Sequence, residues 1–177
     1  MESAVAACSV DSNLFILLRN KTLKLDHERH MRQALALTTN TPELPFGAVI
    51  VHRDSGDTVA EGWNRSMINP IWHGEIVALN ALFLSSHEIA SSDLVLYTTA
   101  EPCPMCMAAI LWSGLQMVVF GTSIRFLQKY GWRQIDLLAK ELVSRSPAWK
   151  CTIIGGVLED ECNALFAMES PQSFPDR

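Results

Sequence analysis

Two short stretches hold the residues whose types and spacing could do chemistry: Trp72-His73-Gly74-Glu75, and Glu101-Pro102-Cys103-Pro104-Met105-Cys106. Cys103 and Cys106 are three apart, so in the first turn of a helix both sulfurs share one face and can reach one ion. A helix start also favours their thiolate forms through its exposed N–H groups. His73 supplies a third donor, and two thiolates with one imidazole suit Zn2+. Three protein ligands leave the fourth tetrahedral position to water, whose pKa zinc lowers to about 7. The expectation is one zinc per chain with a catalytic water. Its proton needs a carrier, for which Glu75 is the candidate. Residues two apart on a regular helix point about 200° apart, so His73 and Glu75 can serve one water only where the chain enters its helix.

The flanking sequence supplies elements to position these groups. Leu25 to Leu37 carries Leu25, Met31, Ala34 and Leu35 at helical spacing, with His27 and His30 read as a solvated face beside Asp26 and Glu28. Pro45 to Asn64 reads as a β-hairpin turning at Asp54 to Asp57. Asn69 to Leu84 opens with an Asn-Pro turn and becomes a helix with His73 near its start. A buried strand at Asp93 to Ala100 precedes a helix that tolerates prolines in its first turn and stops at Gly114. A strand at Gln116 to Thr122, a helix from Arg125 to Val143 broken at Gly131, a strand from Cys151 and a last helix from Glu159 complete an α/β pattern, read as a mostly parallel sheet.

Composition narrows the class. The chain has 177 residues, 49% of them apolar, which fits one compact domain. With 14 Lys and Arg against 19 Asp and Glu, the formal net charge is −5, whereas nucleic-acid-binding domains are usually basic. The apolar run Leu14 to Leu18 is far shorter than the roughly 20 residues of a membrane span, so no membrane partner is expected. Five cysteines without regular spacing, and no secretory pattern, point to a reducing cytoplasm.

His-x-Glu followed by Pro-Cys-x-x-Cys is the signature of zinc-dependent base deaminases. The chain resembles the cytidine deaminase-like superfamily, in particular the branch with bacterial tRNA adenosine deaminase and guanine deaminase. "PFGAVIV", "EGWNR", "NPIWHGEI", "YTTAEPCPMC", "VVFG" and "GGVLEDECNALF" occur in that branch's order. The resemblance implies a three-layer α/β/α sandwich with a five-stranded mixed sheet, assembled as a homodimer or larger oligomer. It implies a deaminase domain over residues 25–168, between an extension at 1–24 and a tail at 169–177. It also implies that His73, Cys103 and Cys106 bind zinc, that Glu75 shuttles protons, that Asn64 hydrogen-bonds the base, and that the backbone around Ala48 and Gly74 lines the pocket.

Some residues depart from that pattern. Gly74 stands where those deaminases usually carry alanine, and Trp72 where they have a small residue, so the pocket wall is expected to differ and Trp72 to stack on substrate or pack as core. The segment from Ser123 to Leu137 replaces a small-residue loop, making Phe126, Tyr130 and Trp132 candidates for a lid or else a helix's apolar face. The tail lacks the basic residues used against RNA. The leading expectation is therefore a hydrolytic deaminase of a free nucleobase or nucleoside of guanine, cytosine or adenine type. The alternative is a tRNA adenosine deaminase acting on an anticodon loop. A catalytically idle binding subunit would leave Glu75 without a use, as would a structural zinc or a redox Cys-x-x-Cys.

Overall fold

The structure, a computed structural model, describes residues 25–85 and 89–167. The extension 1–24, with Cys8 and the Leu14 to Leu18 run, and the tail 169–177 lie outside the described residues. Helix α1 (His27–Leu37) starts where the Asp26 side chain accepts from the Arg29 N–H at 3.0 Å. Strands β1 (Gly47–His52) and β2 (Thr58–Trp63) form the hairpin. Then follow α2 (Gly74–Leu84), β3 (Leu94–Ala100), α3 (Pro104–Trp112), β4 (Met117–Thr122), the short α4 (Ile124–Lys129) and α5 (Ala139–Ser144), β5 (Thr152–Ile154) and α6 (Glu159–Phe166).

The five strands lie in the order β2-β1-β3-β4-β5. Both ladders of β1 are antiparallel, while β3–β4 and β4–β5 are parallel. The mostly parallel sheet read from the alternation of elements is thus corrected to a mixed one. The hairpin puts β2 at the edge, and the crossover through α2 returns the chain to the far side of β1, antiparallel to it.

Period-two alternation divides the core between the two faces of the sheet. Ala48, Ile50, Leu96 and Val118 pack under α2 and α3 against Ala78, Leu82, Met107 and Ile110. Val49, Val51, Val95 and Val119 pack under α1 and α6 against Met31, Ala34 and Cys162. The result is the expected three-layer sandwich. A smaller cluster at one end of the sheet joins Leu44, Phe46, Ala100, Leu127, Trp132 and Phe166.

Two local readings change. His30 is not solvated: it is 1% exposed, its Nδ1 lies 2.9 Å from Gln33 Oε1, and its ring stands 5.0 Å from that of Tyr97. His27 Nδ1 lies 2.9 Å from the Tyr97 hydroxyl. A buried tyrosine needs a polar partner, and α1 brings one. The helix expected over Arg125 to Val143 does break at Gly131, but the break is wider than expected, leaving two short helices with residues 130–138 non-helical between them. Gly131 has φ 79°, its N–H reaches Gln128 O at 3.0 Å, and the Trp132 N–H reaches Leu127 O at 2.9 Å, closing α4 in a Schellman motif.

Helix α2 approaches the hairpin to backbone contact. A Cβ at Gly62 would run into the Gly74 carbonyl and the Ala78 amide. Neither neighbour is a side-chain end that can swing away, so Gly62→Ala should lower the unfolding free energy by about 3 kcal/mol, the upper end of overpacking costs, in urea titrations. A loss under about 0.5 kcal/mol would mean that α2 can shift freely.

Candidate active site

Three sequence-predicted donors meet at the end of the sheet where α2 and α3 begin. His73 caps α2 with extended backbone (φ −70°, ψ 161°), and Cys103 caps α3 likewise (φ −61°, ψ 164°), with Pro104 opening the helix. Cys106 follows in the first turn of α3 and is fully buried. His73 Nδ1 lies 3.6 Å from each sulfur, and all three donor atoms lie within 4.8 Å of one another. Tetrahedral zinc with Zn–S about 2.3 Å and Zn–N about 2.0 Å requires an N to S separation of about 3.5 Å. The donor set and its spacing fit that ion, and no other group of three or more such side chains among the described residues converges in this way.

Because His73 precedes the first helical residue, its side chain is not held to the helical 100° step, and Glu75 faces the same cluster. Glu75 is 5% exposed and stands beside the three donors. Burial, and then the charge of Cys103, push its pKa above the ordinary carboxylate value. The hydrogen bond from Cys106, with that from His73, brings the Cys103 thiol down to about 4 against the pull of burial. That same bond to Cys103, and then burial, push the Cys106 thiol well up. Burial opposes a charge on His73, but its bond to Cys103 and the charge of Glu75 outweigh that and raise its pKa.

The loop between β2 and α2 folds back onto this helix start. The Asn64 N–H donates to Phe46 O at 2.9 Å, and the Arg65 N–H to Trp72 O at 2.8 Å. A Cβ on Gly74 would come within 2.7 Å of that same Phe46 carbonyl. The glycine that replaces the usual alanine therefore admits a closer backbone instead of opening the pocket wall. Trp72 is half-buried and belongs to none of the three apolar clusters. Ala48 lies within the sheet, paired with Gly62 and Thr98, and its methyl is core.

Among the lid candidates, Phe126 and Tyr130 are half-buried and stack on one another at 4.6 Å. Trp132 is corrected to a core residue: it is 5% exposed, its indole N–H donates to Phe166 O at 3.0 Å, and it packs edge-on against Phe46. Indole carries enough apolar area to be drawn inside once its one donor has a partner.

Sequence reasoning missed Glu101. It is 6% exposed, and its two oxygens accept from the Ile124 N–H at 3.0 Å and the Ala139 N–H at 2.9 Å, at the first residues of α4 and α5. One side chain, two residues before Cys103, thus ties the metal-facing turn to the segment carrying Phe126 and Tyr130. A carboxyl directly after a wholly buried strand was the available signal, since a buried carboxyl requires donors.

A layered α/β/α domain presenting one imidazole, two thiols and a buried carboxyl at paired helix starts defines a zinc hydrolase of the base-deaminase kind. Residues 24–122 match the model of the cytidine and deoxycytidylate deaminase zinc-binding region, and the chain belongs to this family of zinc-dependent hydrolytic deaminases. It is 41% identical over 103 residues to a tRNA-specific adenosine deaminase of Haemophilus influenzae, covering 54% of this chain and 58% of that protein's length. It is 30% identical over 129 residues to the guanine deaminase of Bacillus subtilis, covering 66% of this chain and 81% of that protein. The solved guanine deaminase of Nitrosomonas europaea superposes with a TM-score of 0.69 at 25% identity, covering 94% of this chain and 97% of that one.

Two outcomes follow from this geometry. A proton on His73 competes with a metal ion, and its raised pKa moves that competition above the ordinary 6.5. Zinc affinity, measured against a chromophoric chelator, should therefore climb steeply with pH up to the His73 pKa and less steeply beyond it; a flat profile would contradict the ligand set. Glu101→Gln puts an NH2 group opposite a helix N–H and should cost about 2 kcal/mol in urea unfolding, with one bound zinc per chain retained; loss of zinc instead would place Glu101 among the ligands.

Proposed function

We propose that His73, Cys103 and Cys106 hold one zinc ion beside Glu75 in a pocket that deaminates a small free base of guanine type. The observation that carries the reading is the three-donor cluster with a buried carboxyl against it, a set that leaves one coordination position without a protein ligand. Zinc bound there supplies the Lewis acidity that makes water a proton donor near neutral pH. Glu75 would take one proton from water and pass it to the ring nitrogen beside the amino-bearing carbon, then take the second proton from the former water oxygen and carry it to the departing amino nitrogen as the carbonyl forms. Water and the exocyclic amine become a carbonyl and ammonia. The raised proton affinity of Glu75 suits it to hold and return that proton.

Asn64 faces the base, Trp72 borders it, and the Gly74 backbone closes the wall against Phe46. Phe126 and Tyr130 form the outer rim, held by Glu101. Residues 25–168 act as one deaminase unit. Guanine is preferred as substrate because the solved Nitrosomonas guanine deaminase superposes over 94% of this chain, whereas the identity to the Haemophilus tRNA-specific deaminase spans 54% of it. The second reading, an anticodon-loop adenosine, is supported by the identity to tRNA-specific deaminases and opposed by the net charge of −5.

A homodimer fits helices α2 and α3, which are apolar around their circumference yet leave Phe83, Leu84 and Trp112 exposed. A cytoplasmic setting fits the free thiols of Cys103, Cys106, Cys151 and Cys162. No helix among the described residues is long and apolar enough to cross a membrane.

Zinc-loaded protein incubated with guanine, cytosine, adenine, their nucleosides and an anticodon stem-loop RNA should release ammonia from guanine. Glu75→Ala should lower that rate by about 10²- to 10⁴-fold with zinc content unchanged. Ammonia from the RNA alone would favour the second reading, and unimpaired turnover by Glu75→Ala would remove Glu75 from the chemistry.

A further inference from the structure

The loop after β2 pairs Asn64 with a second buried polar residue, Ser66. Asn64 is 4% exposed and Ser66 9% exposed. The Asn64 side-chain oxygen accepts two hydrogen bonds from Ser66, one from its backbone N–H at 2.9 Å and one from its hydroxyl at 2.7 Å. A carboxamide can turn over and exchange its oxygen and nitrogen, but a backbone N–H only donates. The group facing it must be the oxygen. Asn64 Nδ2 has no hydrogen-bond partner among the described residues. Its position is fixed to the metal-facing turn, because the Asn64 backbone N–H is held by the Phe46 carbonyl that abuts Gly74, and the Arg65 N–H by Trp72 O.

We propose that Ser66 is a positioning residue that locks the Asn64 carboxamide with its NH2 group toward the base, so that the pocket takes a base edge carrying a hydrogen-bond acceptor at that point. This rests on the reading in which Asn64 faces the substrate. A carbonyl oxygen or an unprotonated ring nitrogen satisfies the NH2 group. A ring N–H or an exocyclic amine would set donor against donor and leave both unsatisfied on burial. Selection by one hydrogen bond of fixed polarity is stronger than selection by shape, since the wrong partner leaves buried polar groups unpaired. Ser66 supplies both of the donors that fix this polarity, one from its backbone and one from its side chain.

The test uses full-length zinc-loaded protein, guanine as the probe, and the variants Asn64→Ala, Asn64→Asp and Ser66→Ala. Zinc content and thermal unfolding are measured alongside kcat and KM. Asn64→Asp keeps an oxygen for both Ser66 donors and replaces only the NH2 group with a second acceptor. It should fold and bind zinc normally, yet lose on the order of 10²-fold or more in kcat/KM, at least as much as Asn64→Ala. Ser66→Ala keeps the backbone donor and removes the hydroxyl, so it should raise KM by roughly 3- to 10-fold with kcat changed less.

Asn64→Asp outperforming Asn64→Ala would overturn the assigned polarity. Ser66→Ala with unchanged KM would overturn the positioning role of its hydroxyl. Wild-type activity in Asn64→Ala would instead show that Asn64 does not face the base, which is a failure of the underlying reading. Should wild-type protein leave guanine intact, the same variants are compared on whichever of cytosine, adenine, the nucleosides or the stem-loop RNA releases ammonia.

Discussion

Two helices must begin within a few ångströms of each other, and the rest of the molecule is arranged around that constraint. His73 and Cys103 both occupy the last non-helical position before their helices, where the backbone is extended and the side chain is free of the helical step. Their donor atoms come within 3.6 Å only because each helix is separately pinned. On the α2 side the pins are backbone contacts: Gly62 lies beneath Gly74 and Ala78, and Gly74 against the Phe46 carbonyl. On the α3 side the pin is the parallel pairing of β3 with β4, after which the Glu101 N–H donates to Thr122 O at 2.7 Å and turns the chain into Pro102 and Cys103. A side chain at either glycine would displace one donor relative to the other two.

The electrostatics of the cluster follow from its burial. In a cluster of two thiols, an imidazole and a carboxyl, Cys106 and Glu75 are buried while His73 and Cys103 are half-buried. The bond between the sulfurs lowers the proton affinity of Cys103 and raises that of Cys106, and the proton affinities of His73 and Glu75 are raised. A divalent ion replaces the protons on the donors at once, which is why zinc affinity and proton release are coupled here. The carboxyl is set apart from the donors by its place in the chain: it sits on the second helical residue of α2, inside the first turn, while His73 sits outside it.

Much of this was legible in the sequence because the strong signals were local. Met31 and Ala34 at helical spacing, the largely apolar Leu94 to Ala100 run, Pro104 at a helix start and Gly131 at a helix end each reflect short-range sterics or periodicity, and each has its expected structure. The direction of the strands was not legible, because β1 is flanked by β2 and β3 through a choice of side made by the α2 crossover. Side-chain environment was read poorly wherever the partner came from far along the chain. His30 is buried by Tyr97, Trp132 by Phe46 and Phe166, and Glu101 finds its donors at Ile124 and Ala139. Ser66 went unread for the opposite reason: a serine two residues after an asparagine is an ordinary turn pattern, and only burial beside the metal-facing turn gives it consequence.

Deamination at this site requires a metal held by three protein donors with one position left to solvent. X-ray absorption at the zinc edge of the loaded, substrate-free protein tests this directly. The result consistent with the account is one zinc per chain with two sulfur scatterers at about 2.3 Å, one imidazole nitrogen at about 2.0 Å, and one further light atom. A shell of three or four sulfurs, or a second imidazole, would mean a closed structural centre and would contradict it.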